Sequence, residues 1–95
     1  MPLGPGSLKC VSAWSAERSL REVIEQTLRA HVAEDDARHV NGDTFLIYTD
    51  ADTATIRDWL LPCLKDSESL LVVEFERWSG YGPAPDRDWL LRRGH

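Results

Sequence analysis

Leu20, Val23, Ile24, Thr27, Leu28, His31 and Val32 recur three and four positions apart, and that stripe predicts an amphipathic helix over residues 16–34. Ser15 stands where an N-cap belongs, and Glu17 falls in the first turn, at the positive end of the helix. Glu17–Arg21 and Glu25–Arg29 set an acid one turn ahead of a base, the better orientation for such pairs. The run Glu34–Asp36 sits unfavourably at the negative end and marks the stop. Ahead of the helix, "LKCVSAW" (residues 8–14) is short and rich in strand formers. After it, "ARHV", Asn41-Gly42 and "DTFLIYT" read as a hairpin, with Asn41 and Gly42 supplying the two positive-φ residues of a type I′ turn. The second limb alternates, Phe45 and Ile47 pointing one way and Leu46 and Tyr48 the other.

A second helix carries Ile56, Leu60, Cys63 and Leu64 on one face, and Pro62 predicts a break near Leu61. "LLVVEFERW" is the next strand. Leu71, Val73 and Phe75 are expected on its helix-covered face, with Leu70, Val72, Glu74, Glu76 and Trp78 opposite. "SGYGPAP" is a loop, and "DRDWLLRR" a short strand or helical turn. The predicted fold is therefore α+β, ferredoxin-like βαββαβ. Its antiparallel sheet carries two helices on one face and a short C-terminal extension. Residues 8–95 form one domain, while residues 1–7, "MPLGPGS", read as an appended segment outside it.

Helices on one side leave the other sheet face open, and here that face is apolar. Trp14, Leu46, Tyr48, Val72 and Trp78 are the expected contact surface, the simplest partner being a second copy packed sheet to sheet. The net charge of −5 argues against broad binding to nucleic-acid phosphates. Glu74 and Glu76 near that face, with no basic-aromatic strand motif, argue against an RNA-binding sheet, although Arg87, Arg92 and Arg93 offset the charge locally. At 95 residues with 42% hydrophobic content the chain supports one core without disulfides. Cys10 and Cys63 form no spaced motif, which fits a reducing, cytoplasmic setting, and no stretch is apolar enough to span a membrane.

Candidate chemistry is sparse. Asp50 and Asp52 lie two apart at a strand end, where paired carboxylates can hold Mg²⁺. The competing reading makes Asp52 the N-cap of the second helix, bonded to the N–H of Ala54 or Thr55, and it is the stronger one because "TATIRDWL" follows at once. His31 reads as a half-buried residue of the helix stripe; Asp35, Asp36 and His39 are its nearest candidate co-ligands. No HExxH, phosphate loop or GxSxG elbow occurs.

The stretch "GDTFLIYTDADTATIRDWLLPCLKDSESLLVVEF" resembles the CRISPR-associated spacer-acquisition subunit family and its toxin-like relatives over about residues 42–76, with "DWLLRRG" a fainter echo. The resemblance implies a homodimer with facing sheets, joined in part by the C-terminal segment. It also implies a Mg²⁺-dependent nuclease aspartate directly after the first strand. In this chain "VSAWSAE" puts Ser12 or Ser15 there, so no metal residue carries over. The expectation is a small dimeric domain acting by binding protein, with nucleic acid as an alternative partner that the net charge does not favour, without a cofactor and without catalysis. Two alternatives stand beside it: a metal-dependent nuclease or toxin-like RNase using Asp50 and Asp52 with Mg²⁺, and a regulator or inhibitor of another protein.

Overall fold

The computed structural model describes residues 6–82 and 86–93. Strand β1 (Ser7–Trp14) lies between β3 (Thr44–Thr49) and β4 (Ser69–Phe75), and β2 (Ala37–Asn41) pairs with the far side of β3. All neighbours are antiparallel and the order is β2-β3-β1-β4, the ferredoxin-like arrangement expected from the βαββαβ pattern. Helices α1 (Arg21–His31) and α2 (Thr53–Leu60) cover one face. There Val11, Ala13, Phe45 and Ile47 of the sheet meet Leu20, Ile24, Leu28, Ile56 and Leu60 in one buried layer.

Local chemistry accounts for most of the boundaries. The carboxylate of Asp52 accepts the N–H of Thr55 at 2.8 Å, so this residue caps α2 as its position predicts. The cap holds the Asp52 carboxyl below its ordinary pKa, chiefly through that backbone N–H. Pro62 ends α2, and the chain continues as a 3-10 turn over Leu61–Cys63.

Several expectations are corrected. Helix α1 begins at Arg21, not near residue 16, because Ser15 caps a separate turn, its hydroxyl accepting from the N–H groups of Glu17 and Arg18. The start of α1 is capped from a distance: the Asp43 carboxylate accepts from the N–H of Leu20 at 3.1 Å. The helix stops at His31, and Glu34–Asp36 forms a 3-10 turn of its own. The hairpin forms where predicted, but Asn41 is its last strand residue, paired with Thr44. Gly42, at φ +48°, and Asp43 make the turn, and Asp43 has no positive φ, so the two positive-φ residues of a type I′ turn are not both present. Ser7, placed outside the domain by the sequence, pairs with Thr49 as the first residue of β1.

The largest correction concerns β4. Val72 opposes Val11 on the helix side, where with Leu70 it packs against the main core. Val73 opposes Cys10 and Phe75 opposes Leu8 on the other side. Glu74 likewise moves to the helix side, opposite Lys9. In "LLVV" both alternations are apolar, so only pairing with β1 selects the face.

Candidate binding surface

The second sheet face is not left bare. Helix α3 (Arg87–Arg92) lies across it, burying Trp89 and Leu90 against Leu8 and Leu46, with Cys10, Val40, Tyr48, Phe75 and Trp78 packed around them. Asp86 caps this helix by accepting the N–H of Trp89 at 3.1 Å. Three contacts tie it to the β2 side of the molecule. The indole N–H of Trp89 donates to the Asp35 carbonyl, Arg93 pairs with Asp36 at 2.9 Å, and Arg38 pairs with Asp86 at 3.3 Å. Arg93 also lies over the Trp89 ring, 4.9 Å from its centroid.

This cover decides which apolar residues remain available. Trp14, Leu71 and Val73 are 53%, 52% and 40% exposed, on the β1 and β4 side of the covered patch. Ser12 opposes Leu71 and Trp14 opposes Ser69, so Trp14 and Leu71 are diagonal neighbours on one face, and Val73 continues the row. Strand β4 is also an edge of the sheet. Edge strands are usually blunted by charged side chains, above all lysine, by proline, a bulge or shortness, and β4 carries one charge, Glu74. The sequence SLLVVEF has seven residues, no lysine and no proline, and it pairs with β1 without a register shift. The opposite edge, β2, has five residues and a bulge between His39 and Asn41. On the helix side of β4, Thr53, Ala54 and Arg57 of α2 and the Leu70–Val72 stretch line a groove of about 250 Å³, with Leu70 and Val72 on its side of the sheet. Among the described residues Arg57 is paired only with its neighbour Asp58, and both are exposed.

The candidate interface residues are thus dispersed. Trp14 is open, Leu46 is buried under α3, Tyr48 and Trp78 are half-buried at the margin of that cover, and Val72 faces the helices. Sequence reasoning assigned Leu71 and Val73 to the core and did not single out Arg57. The alternating exposure that runs along β4 is visible only once β1 is beside it.

Asp50 and Asp52 are exposed, and Asp52 is engaged as the α2 cap. The Lys9 side chain is 2% exposed, its ammonium donating to Ser7 Oγ at 2.6 Å and to the Thr49 carbonyl at 2.8 Å, with Glu74 at 3.9 Å. Burial pulls the Lys9 pKa below its ordinary value, and the negative charges of Glu74, Asp50 and Asp52 oppose that shift. The ammonium is held by Ser7 and Thr49, with Glu74 its nearest carboxylate. Among the described residues no group of three or more His, Cys, Asp or Glu side chains comes together. His31, expected half-buried, is exposed and stacks on Trp59 with centroids 4.2 Å apart. The Cys10 thiol is pushed up by burial, which makes it a poor nucleophile at neutral pH.

Comparison of the chain with family models, with curated proteins and with solved structures finds no match in any of the three. The described residues contain no helix long and apolar enough to cross a membrane.

Proposed function

We propose that this chain is a small binding and assembly domain that forms a homodimer and works by association, without chemistry of its own. One observation carries the reading: α3 covers part of an apolar sheet face and leaves the row Trp14, Leu71 and Val73 exposed beside a long, regular edge strand with a single charge. Contiguous exposed apolar surface of that kind marks contact sites. The likeness of residues 42–76 to the CRISPR-associated spacer-acquisition subunits, themselves homodimers, supports association. The sheet-to-sheet geometry of that family does not transfer, since α3 occupies the centre of the face where a second sheet would pack.

Sedimentation velocity from low to high micromolar concentration tests the proposal. The wild type is expected to dimerise, and Trp14→Glu is expected to remain folded and shift towards monomer, because a charge in a desolvated contact is costly. Leu46→Glu is the wrong probe, as it would unseat α3. A wild type that stays monomeric throughout the range overturns the reading.

A further inference from the structure

Resting on that association, we infer that the second copy joins along β4, edge to edge and antiparallel, about a two-fold axis through Val72. A two-fold axis normal to the sheet pairs each residue with a counterpart on the same face and makes one continuous sheet with all long helices on one side. The sequence of β4 is self-complementary in that register. Leu71 and Val73 of one copy oppose Val73 and Leu71 of the other, closing the exposed apolar row on itself, and the full span Ser69–Phe75 is paired. The neighbouring registers are worse. Centring the axis on Leu71 sets Glu74 against Glu68, a like-charge pair, and centring it on Val73 sets Ser69 and Leu70 against residues beyond the strand end at Phe75, so the paired span shortens.

Charge complementarity selects a second copy as the occupant. With Val72 at the centre, Leu70 opposes Glu74 of the second copy on the helix side. Leu70 lines the groove with Arg57, so that carboxylate arrives within reach of a guanidinium whose sole partner among the described residues is its sequence neighbour. Glu74 is 52% exposed and its contact with Lys9 is long at 3.9 Å, which leaves it oxygens to offer. The two-fold makes this pair twice. The groove between α2 and β4 is then the seat of the second copy's Glu74, and the edge that the fold leaves open is closed by its own sequence.

The test combines a charge swap with a cross-link in the full chain. Arg57→Glu and Glu74→Arg should each weaken the dimer about tenfold, and the double variant should restore it, with melting curves confirming that all three fold. Under mild oxidation Val72→Cys should give a disulfide-linked dimer, since paired residues across antiparallel strands lie within disulfide range. Leu70→Cys, opposite Glu74, should not, and the wild type with Cys10 and Cys63 sets the background. If the wild type dimerises but neither swap changes its affinity and Val72→Cys stays unlinked, the edge arrangement is overturned while association through another surface stands. A monomeric wild type removes both.

Discussion

Trp89→Ala tests whether the C-terminal helix is part of the fold or an ornament on it. Trp89 is fully buried, and with Leu90 it supplies the apolar contact of α3 with Leu8 and Leu46. Truncating a buried tryptophan to alanine costs about 3–5 kcal/mol. The indole N–H bond to the Asp35 carbonyl is lost too, although that carbonyl keeps the Arg93 guanidinium as a donor, so the added cost is small. Against a typical total of about 5–15 kcal/mol this is a large fraction. In a domain of this size each kcal/mol moves the melting temperature by about 4–8 °C, so a fall of at least ~12 °C is expected. Since α3 has six residues and few other apolar anchors, part of the loss should appear as its release from the sheet. The assay is a thermal melt at fixed protein concentration together with binding of a hydrophobic dye. The variant should melt lower and bind more dye at room temperature, because Leu8, Leu46 and Tyr48 are uncovered. A variant that melts within ~2 °C of the wild type, with no new dye binding, would show that α3 does not cover the sheet.

Three further outcomes follow from local geometry. Gly42→Val should destabilise by about 1–3 kcal/mol because φ is +48° there, while Gly42→Asn should be tolerated; equal melting of Gly42→Val and wild type would refute the turn. Asp52→Ala should lower the melting temperature by a few degrees through loss of the Thr55 bond and leave the protein indifferent to Mg²⁺; a Mg²⁺-dependent stabilisation that vanished in this variant would make Asp52 a ligand. Glu68 should govern acid stability. Arg18 binds its carboxylate at 2.7 Å, the Lys65 N–H at 2.8 Å and the Ser15 hydroxyl at 2.8 Å, and together they hold its pKa far below the ordinary 4.5. A depressed carboxylate stabilises the fold above about 4.5 and gives up that stability as pH falls towards the folded value. Glu68→Gln should therefore lower stability at neutral pH and flatten its loss in acid; parallel curves for the two proteins would refute the role.

The sequence alone determined what short-range physics controls. The stripe from Leu20 to Leu28 fixed α1 as a helix, Asp52 and Pro62 bracketed α2, and Gly42 located the hairpin, because helix periodicity, capping and turn conformation involve residues within a few positions of one another. The same signals, taken in order, carried the ferredoxin-like topology. Tertiary structure decided the rest. Glu68 finds Arg18 across 50 residues, and that pair helps hold the chain in a turn where helix periodicity would have continued α1 backwards. The face of β4 was decided by its register against β1, since an apolar run satisfies either alternation until a neighbouring strand is placed. Lys9 is buried because the two registers of β1 set it between Ile47 and Glu74 on the helix side, where its ammonium finds Ser7 and the Thr49 carbonyl. The fate of the open face turned on Trp89 and Leu90, two apolar residues in a charged tail whose periodicity is too short to name a partner. Apolar pattern says that a surface must be covered, and only the path of the chain in space says by what.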